Sequence, residues 1–359
     1  MNSIAIYGAG YFGRAFLKAA QQQGEQVVFL LDEQKINSND DIPVFFPEEA
    51  DKNIKVIISL PPLRRTDRAA IKDKLMSFGY SNIVDFLDAM KLYPRVFEFY
   101  AQFEHLWMRN NKDKTIDDNS IGRLSNRLCD KESKELLNRI VKFRQTLSPE
   151  YYIYPDSQNE YFCSNVPIYR QNKTLRFVDC GAFNGDTMED LMLLQRNGIL
   201  DVEYCVSFEP DNQNLSQLNK AITKFIDRDI RARLLVYPCG VWSENTVLNF
   251  SEGQTSSSTF SGGNGGTSVP VVSIDNCLYG MAPSFIKMDI EGAEQQALSG
   301  AKSTIRKYKP TLAICVYHKP ADLWEIPELI DDIWPGYDMY LRVHEHMGLS
   351  TVLYCVPRL

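Results

Sequence analysis

Four acids in this chain close strand-like apolar runs, and a histidine follows a fifth run. One of the runs leads into a glycine turn. Asp179 ends the run at 175–178, and Gly181 and Gly185 follow it, four residues apart, in the string FVDCGAFNGDT. A turn of this kind brings backbone N–H groups and a helix N-terminus close to a ligand, because glycine has no Cβ to block the approach. The next apolar run, at 204–208, ends in Glu209, 24 residues after Gly185. A carboxylate there is placed to accept hydrogen bonds from the two hydroxyls of a ribose, so the pair of features points to a nucleoside-type cofactor. Further on, the run FIKM ends in Asp289, with Glu291 and Glu294 just beyond. A charge at the end of so apolar a strand needs a partner, whereas acids in a first helical turn are favoured by the helix dipole alone. The run at 311–317 leads into His318. An acid and a histidine at neighbouring strand ends could deprotonate a hydroxyl.

The elements that must hold these residues alternate regularly. Strands are expected at 175–179, 204–209, 233–237, 284–289 and 311–317, and helices at 187–197, 212–226 and 293–306. A helix near 326–333 and two last strands, 337–343 and 351–356, complete a mixed seven-stranded sheet. Residues 246–273 alternate apolar and polar around the Gly262–Gly266 run and read as a hairpin with a flexible tip. The fold class is α/β: a seven-stranded Rossmann-like domain at 166–359, preceded by a smaller Rossmann-like domain at 1–90 and a helical connecting segment at 91–165.

The small domain carries the second glycine turn. A strand at 3–7 runs into Gly8, Gly10 and Gly13 in the G-x-G-x-x-G spacing. A helix to about Gln23 follows, then a strand at 26–31 closed by Asp32, 19 residues after Gly13. This is a dinucleotide-type fingerprint in its proper strand–turn–helix context; the glycines would also be kept if they served only the turn. Further strands are expected at 56–60 and 83–86, around a helix at 64–78. Arg64, Arg65 and Arg68 at the start of that helix could meet a phosphate, with solvated arginines the simpler reading.

In the connecting segment, Phe97, Tyr100, Phe103, Leu106 and Trp107 have helical spacing within 95–108 and read as a packing face between domains. His105 reads as structural. A helix is expected at 131–146. Tyr151, Tyr152, Tyr154, Tyr161 and Tyr169 precede the central turn, where they could wall a pocket or simply cover a core.

With 359 residues there is length for two cores. A net charge of −7 argues against a nucleic-acid backbone or an anionic membrane as the main partner. No leader peptide is expected, since Met1-Asn2-Ser3 runs straight into a strand, and no apolar run reaches the roughly 18–20 residues a bilayer span needs. The eight cysteines show no C-x-x-C, and Cys180, Cys205, Cys239, Cys315 and Cys355 sit in apolar runs. They read as buried thiols of a reducing compartment, which is the ground for expecting a cytoplasmic protein.

Two resemblances add to this reading. The strings IAIYGAGYFGRA, VVFLLDE, IPVFFPEEA and VIISLPPLRR resemble the small nucleotide-binding domain that precedes many sugar-modifying enzymes. That implies a nucleotide or nucleotide-sugar at Gly8, Gly10, Gly13 and Asp32. From about residue 130 onward, FVDCGAFNGDT, FEPD, CGVWSENTVLNF, SFIKMDIEGAEQQALSGA, KPTLAICVYHKPADLWEIP and YLRVHEHMGLSTVLY resemble the FkbM-type methyltransferases. This resemblance implies a seven-stranded Rossmann-like fold and an S-adenosylmethionine-dependent O-methyltransferase. Asp179, Gly181, Ala182, Asn184 and Gly185 would cradle the amino-acid part of the cofactor. Glu209, beside Pro210, would hold the ribose. Cys239, Gly240 and Val241 would flank the adenine, and Asp289 would stand between cofactor and acceptor. Glu291, Glu294 and His318 match further motif positions of the family; His344 and His346 are given no role.

The chemistry expected is methyl transfer to a hydroxyl of a sugar or glycan precursor, with Asp289 or His318 as base and Glu291 beside them. Asp289, Glu291 and His318 are all metal donors, yet nothing in their spacing demands a metal, and none is expected. The competing readings are an NAD(P)-dependent oxidoreductase built on the first glycine turn, which lacks a recognisable hydride-transfer site, and a non-catalytic module that senses a nucleotide-sugar. The acceptor's identity and the oligomeric state are not legible.

Overall fold

The computed structural model describes residues 3–34, 42–61, 68–108, 116–169, 174–225, 231–251, 259–260 and 267–358. The chain forms two compact units. One comprises residues 1–115, 136–157 and 343–349; the other comprises 116–135, 158–342 and 350–359. The stretch 91–165 is thus divided between them, and the helix Lys131–Thr146 gives its first turn to the second unit and the remainder to the first. Asp130 starts this helix by accepting the Ser133 N–H, and its other carboxylate oxygen lies 2.7 Å from the buried Arg342 guanidinium.

The first unit holds a five-stranded parallel sheet. Its middle strand Ser3–Tyr7 pairs with Gln26–Leu31 on one side and Lys55–Ile58 on the other, and Val44–Phe45 and Ile83–Val84 form the edges. Numbered in chain order, the strands run 3-2-1-4-5. Each strand is short and apolar because helices cover both faces of a parallel sheet. Ala5, Tyr7, Phe29, Leu31, Val56 and Ile58 form the core of one face with Leu75 and Tyr80. Arg64 and Arg65 lie outside the described residues, as does the side chain of Arg68.

The aromatic stretch 95–108 is not one helix. Val96–Tyr100 is helical, two short 3₁₀ turns follow, and Glu104 and Leu106 stand in the left-handed region at φ 51°. Its rings pack inside the first unit. Tyr100 stacks on Phe12 at 4.0 Å, and Phe97 meets Phe143 at 5.2 Å and Tyr152 at 5.6 Å. Tyr152 is therefore core.

The second unit is built on the seven-stranded sheet. In space its strands run Leu234–Tyr237, Asp201–Phe208, Thr174–Cys180, Phe285–Met288, Thr311–Cys315, Thr351–Pro357 and Tyr337–Val343. The first five are parallel neighbours, and Thr351–Pro357 is antiparallel to Thr311–Cys315. The sequence expectation places all seven strands within a few residues. The expected helix at 293–306 is two, Glu294–Ser299 and Lys302–Tyr308, because the Asp275 carboxylate accepts the N–H groups of Ser303 and Thr304 and starts a new helix there. Strands Thr246–Ser251 and Thr267–Val272 pair antiparallel, as the hairpin reading requires, and Gly240–Val241 joins them in a separate small sheet. The Gly262–Gly266 tip lies outside the described residues. All eight cysteines are unpaired, and the five expected in apolar strands are buried. Among the described residues no helix is long and apolar enough to cross a membrane.

In the first unit His346 packs 5.4 Å from the Phe12 ring, and neither of its nitrogens is hydrogen-bonded among the described residues. Burial pushes its pKa down to about 3, with His105 adding to the effect. The folded state therefore keeps His346 neutral, while the unfolded chain takes up a proton below about 6.5. Stability is expected to fall as pH drops below about 6.5, at up to about 1.4 kcal/mol per pH unit from this group. Urea unfolding of the wild type and His346→Phe between neutral and mildly acid pH checks this; parallel curves would remove His346 from the account.

Candidate active site

The order of the large sheet reverses between strands Thr174–Cys180 and Phe285–Met288: the chain leaves the first toward one edge and returns at the second toward the other. Open α/β sheets bind ligands outside the carboxyl ends of the strands at such a point. The glycine turn lies there. Gly181 and Gly185 have φ of 85° and 93°, a region open to glycine at little cost. A Cβ on Gly181 would lie 2.0 Å from the Asp289 carbonyl oxygen. The turn and the end of strand Phe285–Met288 thus touch through their backbones, which fixes Asp289 beside the turn. A Cβ on Gly185 would press on Leu218 and Ala221 at 3.0 and 3.2 Å, so this glycine also seats the helix Asn212–Phe225.

Glu209 reaches across to the same turn. Its Oε2 accepts the Phe183 N–H at 2.8 Å, and its Oε1 accepts the Asp211 N–H at 2.9 Å. Burial pushes this carboxyl up, against the pull of those two N–H groups. Asp211 in turn caps the following helix through the N–H groups of Gln213 and Asn214. The first unit uses the same device: Asp32 Oδ2 accepts the Ala9 N–H at 2.8 Å, and Oδ1 accepts that of Gln34 at 2.9 Å. There a Cβ on Gly13 would collide with the Gly8 carbonyl oxygen at 1.9 Å, whereas one on Gly10 would meet nothing within 4 Å.

Around Asp289 the side chains converge. The hydroxyls of Tyr161 and Tyr317 donate to its two oxygens at 2.8 and 3.3 Å. His318 Nε2 lies 3.3 Å from Asp289 Oδ1 and 3.5 Å from Glu291 Oε2, and Nδ1 lies 3.0 Å from Glu294 Oε1. Burial would raise Asp289, but the His318 and Lys287 charges and the Tyr161 hydroxyl outweigh it and hold the carboxyl below its ordinary value. Burial would lower His318, but Glu294 first, then Asp289 and Glu291, push it up to about 10. Burial raises both tyrosines far above their ordinary value, so they remain donors.

Residues 179–343 match the model of the methyltransferase FkbM domain. Over those residues the chain is similar to FkbM methyltransferase domains. Among solved structures the chain is similar in fold to a methyltransferase FkbM from Methylobacillus flagellatus KT. Their TM-score is 0.62 and their identity 24%, over 99% of this chain and 90% of that one. A precorrin-6y C5,15-methyltransferase from Geobacter metallireducens GS-15 aligns over 54% of this chain and 85% of its own, at TM-score 0.34 and 12% identity. No curated protein matches the chain.

The matched region draws together most of the residues singled out in the sequence. Asp179, Gly181, Ala182, Asn184, Gly185, Glu209 and Pro210 lie on or beside the turn after strands Thr174–Cys180 and Asp201–Phe208. Asp289, Glu291, Glu294 and His318 form the cluster next to it. Cys239, Gly240 and Val241 follow strand Leu234–Tyr237 at the same end of the sheet. Of the five tyrosines, Tyr161 reaches Asp289, and Tyr152 belongs to the other unit's core.

Lys287 and Tyr317 were missed. Lys287 stands directly opposite Asp179 in the parallel register, its Nζ 3.0 Å from Asp179 Oδ1, with both side chains buried. The ammonium also donates to the Gly181 carbonyl and lies 5.0 Å from the Tyr161 ring centroid. Burial would push Lys287 down, but the carboxylates of Asp179 and Asp289 outweigh it and keep it charged. The signal was in FIKM: a lysine inside an apolar strand has to find a carboxylate. Removing one partner of such a pair strands a buried charge, at about 3–5 kcal/mol. Lys287→Met should destabilise by that amount in chemical unfolding, and adding Asp179→Leu should restore much of it. A single variant as stable as wild type would show that the pair does not hold the fold.

Proposed function

We propose that this chain is an S-adenosylmethionine-dependent O-methyltransferase whose acceptor is a hydroxyl of a sugar or glycan precursor. The observation that carries the reading is the joining of glycine turn, Glu209 and Asp289 at the sheet's reversal point. The residues suit the cofactor. Asp179 is a fully buried carboxylate at the start of the turn, where its pairing with Lys287 at 3.0 Å holds the turn in place for a ligand. Glu209 offers a carboxylate at ribose distance in the sequence pattern, and Cys239, Gly240 and Val241 provide a small, mostly apolar flank for a base.

The bound cofactor supplies a methyl group on a sulfonium, a good leaving group. What remains for the protein is alignment and proton removal. Asp289 holds the acceptor hydroxyl by accepting its hydrogen bond, and Tyr161 and Tyr317 fix the carboxylate's direction. Asp289 stays partly exposed while His318 is buried, so Asp289 is the better base of the two, with His318 and Glu291 beside it. The sugar assignment rests on the likeness of the first 90 residues to domains that precede sugar-modifying enzymes. The unpaired cysteines support a reducing, cytoplasmic location.

Calorimetry with S-adenosylhomocysteine tests the core of this reading. Micromolar binding is expected, weakened at least about tenfold by Glu209→Ala, a difference of about 1.4 kcal/mol. NAD binding without S-adenosylhomocysteine binding would replace the assignment by the oxidoreductase. A nucleotide or nucleotide-sugar on the first turn is a second proposal, favoured by the open space at Gly10. Gly10→Ala should leave the unit folded while abolishing retention of a nucleotide-sugar. Equal retention by variant and wild type would remove that ligand from the turn.

A further inference from the structure

We propose that His318, Asp289 and Glu291 form a site for one divalent cation of the Mn²⁺ or Zn²⁺ class. Nε2 of His318 faces Asp289 Oδ1 at 3.3 Å and Glu291 Oε2 at 3.5 Å. Donors bound to a shared metal at about 2.1 Å lie roughly 3.0–3.5 Å apart, so these separations are those of ligands around one ion. They are poor as hydrogen bonds. The His318 side chain is 1% exposed, yet neither ring nitrogen makes a hydrogen bond of acceptable geometry among the described residues.

The far side of the ring supports the assignment. Nδ1 lies 3.0 Å from Glu294 Oε1, and that oxygen is anchored by the Ile290 N–H at 2.9 Å. A buried carboxylate behind a histidine fixes the ring and keeps the proton on the rear nitrogen, leaving the front one free for a metal. Asp289, Glu294 and His318 each offer a donor atom within 4.8 Å of the others. Three carboxylates thus converge on one imidazole in a largely buried place. Lys287 is paired with Asp179, and the Lys319 ammonium donates to the Gly292 carbonyl.

Asp289 and Glu291 are 25% and 23% exposed, so a cation held by them keeps positions open to solvent. An acceptor hydroxyl entering such a position would lose its proton more readily. That consequence rests on the proposed methyl transfer; the site itself does not. Imidazole with carboxylates suits Mn²⁺ or Zn²⁺ better than Ca²⁺.

The test uses the full chain, stripped with chelator and titrated with Mn²⁺ by electron paramagnetic resonance and with Zn²⁺ by calorimetry. One site per chain is expected. His318→Ala and Asp289→Asn should each weaken it at least about tenfold, and Glu294→Gln by about ten- to a hundredfold, with circular dichroism unchanged. Should His318→Ala fail to fold, ¹⁵N shifts of His318 in the wild type serve instead: Nε2 should move on adding Zn²⁺. No binding of either ion by the folded wild type, binding indifferent to these substitutions, or a His318 ring doubly protonated and unmoved by Zn²⁺ overturns the site. S-adenosylhomocysteine titration is read separately, so a chain that binds Mn²⁺ but not that ligand keeps this site and loses the methyltransferase cofactor.

Discussion

The candidate site depends on one buried ion pair. Lys287 and Asp179 face each other across adjacent parallel strands, with almost no exposure to solvent. Neither charge would tolerate burial alone. Together they fix the register of the two strands that flank the reversal of the sheet. The lysine's further bond to the Gly181 carbonyl ties the pair to the turn. The Asp289 N–H donates to the Cys180 carbonyl one step further along. Turn and Asp289 are thereby held in one rigid arrangement before any ligand arrives.

The two glycine turns show how the same local chemistry serves different ends. In each, an acid closing the second strand accepts an N–H from the turn after the first: Asp32 from Ala9, and Glu209 from Phe183. The turn at Gly8 fits the familiar spacing better, yet the titratable cluster gathers at the other. What separates them is the neighbouring strand. Lys55–Ile58 ends in Ser59, whose hydroxyl is satisfied by the carbonyls of Tyr7 and Gly8. Phe285–Met288 ends in Asp289, which gathers two tyrosines and a histidine. A strand end that closes on backbone is finished structurally, whereas one that collects ionisable groups retains chemistry.

Electrostatics within the cluster also divide the roles. Glu294 is fully buried and bonded to the Ile290 N–H, so it acts on the imidazole from behind. Asp289 and Glu291 remain partly open and are the groups an incoming molecule can meet. Glu291 stands at φ 56° with Gly292 next to it at 95°, a sharp turn that aims its carboxylate back toward His318. Non-glycine residues in that region cost about 1 kcal/mol or more, and such strain tends to be kept where function requires it.

Sequence alone determined the alternation of strands and helices in the second unit and most of the strand ends where charge collects, because apolar runs of fixed length with an acid at the end can be read locally. It also separated the two glycine turns and placed Asp179, Glu209, Asp289 and His318 on one rim. It did not reveal Lys287 as the partner of Asp179 or Tyr317 as a ligand of Asp289, since both depend on which strands become neighbours and in what register. The aromatic run at 95–108 read as a single helix because its spacing is helical, and only packing against Phe12 and Phe143 broke it into shorter turns. The surroundings of His318 were likewise beyond sequence. They consist of three carboxylates drawn from one short turn and set around a ring on the next strand, and that proximity exists only once the sheet has formed.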